Sequence, residues 1–279
     1  MSMPGMLLPP RADSLIAVLR LLDARAGPAA RAGPYAEVRP ARRGLLRVHA
    51  DVPEAAAGTC DVTGLRVLLT ADLLVRVAEL GELQAVTTWA FAARAPEQVT
   101  ALERAADALG IHPPAGRCGP GDAAAAPGGP VDVRLTGGAA ADDGPGGIVV
   151  RVGAARLPRG AGPGTVPDPL AVRLALLASA YHQPAELTEA VLARARHTLG
   201  HWRALVGQWA ESPSRPMPAP VAATVRDAFE TLDTAAALRL LRGLAADDGV
   251  PAGARFETFV YADRVLGLDL PRDIGRLGG

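Results

Sequence analysis

Between Asp168 and Trp209 the apolar residues recur at a spacing that allows little besides two packed helices. Asp168 can cap a helix, and Pro169 suits its first position, where a missing N–H costs nothing. Leu170, Leu174, Leu177 and Tyr181 then recur at helical intervals. Pro184 is expected to stop that helix and open a second, whose seam is Leu192, Leu199, Trp202, Val206 and Trp209. Two amphipathic helices with a short break make an αα-hairpin.

Upstream, the pattern alternates. Leu45 to Ala50 reads as a strand. Leu65, Leu69, Leu73, Val77 and Leu80 mark a helix from about Gly64 to Leu80. Gln84 to Phe91 is a second strand, rich in β-branched and aromatic residues. Pro96 starts a helix carrying Val99, Leu102, Ala106 and Leu109, with Gly110 as its stop. Strand, helix, strand, helix with short joints is the signature of a parallel α/β sheet. Leu15 to Leu22 is a short apolar run, helix or strand. Val131 to Leu135 and Ile148 to Val152 are two further strand candidates.

Downstream of the hairpin, Val221, Val225, Phe229 and Leu232 mark a helix, and Asp233 or Thr234 caps the next. Phe256, Phe259, Val260 and Val265 lie in a last one, so this half reads as a bundle of about five helices. The expected organisation is a poorly ordered N-terminus over 1–14, a sheet domain over 15–166 and a helical bundle over 167–279. Within the sheet domain, 113–147 is low-complexity and loop-rich.

Composition narrows the chemistry. The 29 basic and 29 acidic residues cancel, so no overall field draws the chain to nucleic acid or membrane. All the basic residues are arginine, with no lysine and no asparagine, as a GC-rich genome would produce. Mechanisms that need a lysine ammonium are thereby excluded. Cys60 and Cys118 make no disulfide framework. Neither a signal peptide nor a membrane span is visible, so a soluble cytoplasmic protein is expected.

Three C-terminal segments, DPLAVRLALLASAYHQPAELTEAVL, FETLDTAAALRLL and ARFETFVYADRVLGLDL, resemble the cysteine-ligase branch of class I aminoacyl-tRNA synthetases. That branch holds cysteinyl-tRNA synthetase and the mycothiol-pathway cysteine ligase. LRLLDARAG, LLRVHADV and TADLLVRVAELG resemble, more loosely, the opening strand and first helix of the same nucleotide-binding fold. The resemblance implies a reduced, Rossmann-like domain followed by the helical bundle. It also implies ATP-driven formation of an aminoacyl-adenylate.

The signatures that such chemistry uses can be sought residue by residue. The family's His-x-Gly-His segment, whose imidazoles bind ATP phosphates, corresponds to Asp61-Val62-Thr63-Gly64, where neither histidine stands. The mobile Lys-Met-Ser-Lys-Ser loop corresponds to Arg156-Leu157-Pro158-Arg159-Gly160. Arginine there keeps the charge and can grip phosphate, but proline stiffens the loop. The family's zinc site has no counterpart, and His112 near Cys118 is poorly spaced for one.

The expectation is therefore a diverged, non-catalytic binding or regulatory relative, with an unknown protein or small molecule as its partner and no cofactor. Residual phosphate or ATP binding would fall to Thr63, Gly64, Arg156 and Arg159. Two alternatives stand beside it. One is an active ATP-dependent ligase acting on tRNA or a small acceptor. The other is a tRNA- or synthetase-associated helical module, with Arg194 and Arg203 facing RNA, a partner less favoured than the others. His197 and His201, four apart on a helix, have metal-ligand spacing but no third ligand; a polar helix face is the reading taken.

Overall fold

The computed structural model describes residues 19–26, 35–54, 61–92, 94–119, 129–137, 147–157 and 168–275. A small antiparallel ribbon, β1 (Arg20–Leu21) and β2 (Ala36–Glu37), precedes the main sheet. That sheet is built from β3 (Leu45–Val52), β4 (Gln84–Phe91), β5 (Gly116–Cys118), β6 (Val133–Gly137) and β7 (Ile148–Val152). All neighbouring pairs are parallel, in the order β5-β4-β3-β6-β7. The chain is thus an α/β protein with a Rossmann-like sheet, followed by C-terminal helices.

The helices within the sheet region are α1 (Val62–Leu80) and α2 (Pro96–Ala108). Each joins adjacent parallel strands, as a crossover must. A minor parallel pair, β8 (Ala155–Arg156) and β9 (Ala185–Glu186), ties the end of the sheet to the bundle. The bundle comprises α3 (Pro169–Leu177), α4 (Glu189–Trp209), α5 (Ala219–Glu230), α6 (Thr234–Ala245) and α7 (Ala252–Leu266). No helix among the described residues is long and apolar enough to cross a membrane.

Three sequence expectations shift here. The first hairpin helix ends at Leu177, and Tyr181 is buried outside it, with its hydroxyl accepting from Leu22 N. Pro184 does not open the second helix. Its successors Ala185 and Glu186 pair with β8, and Thr188 caps α4 by accepting from Val191 N. β5 was not expected at all; it lies inside the Gly/Ala-rich stretch because an edge strand of three residues needs little side-chain volume. Of the N-terminal apolar run only its end is described, as strand.

α1 is the pivot of the molecule. Fifteen of its nineteen residues are buried, because the sheet covers one side and α7 packs on another. A helix enclosed this way needs apolar residues around most of its girth, and its few polar ones must be paired. Asp72 is such a residue. Its carboxylate accepts from Arg173 Nη2 at 2.7 Å, from Arg76 Nε at 2.8 Å, and from both Nδ1 and the backbone N of His112, at 2.8 and 3.1 Å. Arg173, on α3 and fully buried, also donates to the carbonyls of Leu266, Leu109 and Gly110. One carboxylate thus joins α1, the end of α2, α3 and the end of α7. Burial alone would raise the Asp72 carboxyl, but His112, Arg173 and Arg76 together hold it well below the usual carboxylate range.

Arg66, one turn and a half earlier, pairs with no carboxylate among the described residues. Its guanidinium donates to the carbonyls of Gly153, Ala154, Ser179, Ala180 and Gln183. Desolvation pushes its pKa down to about 10, which still leaves it charged at neutral pH.

Candidate functional site

In an open parallel sheet, ligands bind beyond the carboxyl ends of the strands, where the strand order reverses. Here that point lies between β3 and β6, the neighbours from which the order runs outward in opposite directions. The residues facing it are Pro53 after β3, Gly137 at the end of β6, and the N-terminus of α1. A Cβ on Gly137 would come within 2.9 Å of Pro53 Cγ and 3.0 Å of Val67 Cγ2. Pro53 is therefore packed onto the end of β6, in the crevice itself.

The N-terminus of α1 is equally committed. Asp61 is its N-cap, with Oδ1 accepting from Gly64 N at 2.8 Å. The other carboxylate oxygen takes Arg94 Nη2 at 2.5 Å, and the same Arg94 nitrogen also bonds the Pro53 carbonyl. The Arg94 side chain is only 2% exposed and the Asp61 side chain 11%. A Cβ on Gly64 would overlap Asp61 Oδ2 at 2.0 Å, so glycine is what lets the carboxylate lie across the helix end. A helix N-terminus carries roughly half a positive charge and attracts anions. In this chain the anion is its own.

Thr63 points sideways. Its hydroxyl donates to Ala155 O at 3.1 Å and accepts from Ala155 N at 3.0 Å, stitching α1 to β8. Arg156, on β8, is 78% exposed and meets Glu186 at 3.4 Å. Arg159 lies outside the described residues, as does Cys60. The structure thus gathers Thr63, Gly64 and Arg156 near the start of α1, with Thr63 and Gly64 already in internal bonds.

A second polar group went unnoticed in the sequence. β3 buries Leu46, Val48, Ala50 and Val52 on one face and sets Arg47, His49 and Asp51 on the other. His49 is fully buried, its Nδ1 2.8 Å from Thr88 Oγ1 and its Nε2 3.3 Å from Asp51 Oδ1. Arg134 on β6 donates to Asp51 Oδ2. Burial opposes ionisation of Asp51, but His49 and Arg134 outweigh it and lower its pKa. The available signal was a central parallel strand with polar residues at every second position, where a continuous apolar run is the rule.

On the bundle, the expected RNA-facing pair separates. Arg194 is exposed on α4. Arg203 corrects the expectation: it is 5% exposed, bonds Asp168 Oδ2 at 2.6 Å, and donates to the carbonyls of Leu268 and Asp269. It sits nine residues after Arg194, two and a half turns on, so it points into the bundle. His197 and His201 are exposed, with near-parallel rings 6.5 Å apart. Among the described residues no three His, Cys, Asp or Glu side chains converge as a metal site.

No protein-family model matches the chain. A curated relative, the L-cysteine:1D-myo-inositol 2-amino-2-deoxy-alpha-D-glucopyranoside ligase of Thermobispora bispora, is 38% identical over 104 residues. The match covers 37% of this chain and 25% of the relative, so the chain spans about a quarter of that protein's length. Among solved structures, one described as an arginyl-tRNA synthetase of Campylobacter jejuni superposes with a TM-score of 0.52. It covers 83% of this chain and 91% of its own at 8% identity, a likeness of fold. The resemblance to cysteine ligases thus holds over a partial region, on a synthetase-like fold.

Proposed function

We propose that this chain is a diverged relative of the class I cysteine ligases that has given up aminoacyl-adenylate formation and serves as a binding or regulatory protein. The observation that carries the reading is the Asp61 carboxylate lying across the N-terminus of α1, capped by Gly64 N and held by the buried Arg94. Adenylate formation needs that position to welcome a triphosphate. Here a phosphate would meet a carboxylate at close range, and two unit charges 4 Å apart near a protein surface repel by roughly 4 kcal/mol. Arg94 offsets Asp61, leaving a neutral pair instead of a cationic cradle. Pro53 packed against Gly137 works in the same direction by taking space from the crevice.

The rival reading, an active ligase with altered chemistry, draws support from Arg156, which is 78% exposed and weakly held. The two part on cysteine-dependent ATP–pyrophosphate exchange with the purified chain. No exchange above background is expected. Clear turnover that disappears in Arg156→Ala would replace the proposal with its rival.

A further inference from the structure

Far from the start of α1, a cavity of about 350 Å³ opens between the later turns of α1, the first half of β4 and the segment 112–115. That volume falls in the range of small-molecule sites, ~300–1,000 Å³. Leu68, Val75 and Trp89 form buried apolar wall, and Pro113 and Pro114 form the rim. Two successive prolines fix the rim's backbone and offer no N–H to a ligand.

Asp72 is saturated by its own donors and Thr87 is buried, so His112 and Glu79 are the exposed polar side chains of the lining. His112 is gripped twice by Asp72, through its backbone N and through Nδ1. Nδ1 donates to the Asp72 carboxylate, so in the neutral tautomer the Nε2 lone pair is turned away from Asp72. The His112 side chain is 56% exposed, so that nitrogen is within reach of a ligand. Glu79, at the far end of α1, lines the same cavity; its side chain is exposed and carries no ion pair among the described residues. A lone-pair nitrogen and a carboxylate are both acceptors. They match a ligand that donates hydrogen bonds and carries positive charge.

We propose that this cavity binds a small organic ammonium ion, an amine on an apolar body, whose N–H groups reach His112 Nε2 and Glu79 while the body lies against Leu68, Val75 and Trp89. The site is some eleven residues along α1 from Asp61, about 16 Å at 1.5 Å per residue, so it stands independently of the fate of the nucleotide crevice.

The test uses the full chain with ¹⁵N-labelled tryptophan. The Trp89 indole signal is identified by its loss in Trp89→Phe. 2-Phenylethylamine is the probe, and 3-phenylpropionate, of similar size and opposite charge, is the control. The amine is expected to shift the Trp89 indole saturably at millimolar concentration, and the carboxylate is not. Glu79→Gln, which disturbs no folded contact, should weaken the amine about fivefold or more, and Ala115→Phe should abolish binding by filling the mouth. The proposal falls if the amine causes no saturable shift, if the carboxylate binds as well as the amine, or if Glu79→Gln leaves the affinity unchanged.

Discussion

Replacing Asp72 by alanine should damage this protein more than almost any other single truncation. The carboxylate collects four donors, two of them guanidinium groups, and its removal leaves the fully buried Arg173 with backbone carbonyls as its hydrogen-bond partners among the described residues. Breaking a buried ion pair by deleting one partner costs ~3–5 kcal/mol, whereas whole domains are stable by only ~5–15 kcal/mol. At ~2–4 °C per kcal/mol for a chain of this size, the melting temperature should fall by roughly 6–20 °C. Urea unfolding can be followed by tryptophan fluorescence on both sides of the joint, since Trp89 lies in the sheet and Trp202 and Trp209 lie in the bundle. Because Asp72 joins those two parts, the variant should also separate their transitions. Arg239→Ala is the control: its pair with Asp233 is 3.9 Å long and exposed, and its loss should cost less than ~0.5 kcal/mol. A loss under ~1 kcal/mol for Asp72→Ala, with a single unchanged transition, would refute the role assigned to this carboxylate.

Gly64→Ala should cost roughly 1–3 kcal/mol in thermal unfolding, because its Cβ would sit 2.0 Å from Asp61 Oδ2 and force the cap apart. Arg203→Ala should lose roughly 2–3 kcal/mol, as a buried arginine does, whereas Arg194→Ala should stay within ~0.5 kcal/mol; equal effects in urea titrations would contradict their different settings. The depressed Asp72 pKa gives an acid signature. Its contribution is present above the unfolded carboxylate value of ~3.9 and is lost as pH falls from there toward the folded value. Stability should therefore drop more steeply below ~pH 4 in the native chain than in Asp72→Asn, and parallel acid limbs would show that another group dominates.

Much of the fold was legible because it rests on local periodicity. β4 and β7 match the expected bounds, and α1, α2 and the five bundle helices lie where the apolar spacing put them, apart from the two ends that meet at the hairpin break. The losses occur where tertiary pairing overrides local signals. Nothing about Ala185-Glu186 announces a strand until β8 is beside it, and Pro184 alone looks like a helix start. Likewise Gly116-Arg117-Cys118 becomes a strand only because Thr88, Trp89 and Ala90 offer a free edge. The cap by Asp61 could have been foreseen from Asp-Val-Thr-Gly, since aspartate three residues before a glycine N–H is a ready helix cap. Its lock, Arg94, could not, because it arrives from thirty-three residues away.

The arginines taught the larger lesson. With no lysine in the chain, its cations read most simply as surface charge or as remnants of a phosphate site. Three of them are instead interior fasteners. Arg66, Arg173 and Arg203 are 2%, 0% and 5% exposed, and each donates to carbonyls at or near element ends, five for Arg66, three for Arg173 and two for Arg203. Helix ends and tight loops leave carbonyls without partners, and burying them unpaired is costly. A guanidinium brings five N–H groups in a rigid plane and can answer several such carbonyls at once, where an ammonium offers three from a point. Arg66 joins α1 to the segments that lead into β8 and β9, Arg173 joins α3 to α1 and α7, and Arg203 joins α4 to Asp168 and the turn after α7. Arg66 and Arg173 thus fasten the sheet region to the bundle and Arg203 fastens the bundle to itself, each in a role that follows from the carbonyls around it. Arg94 repeats the device at the start of α1, where a buried cation fastens the Pro53 carbonyl and Asp61 together.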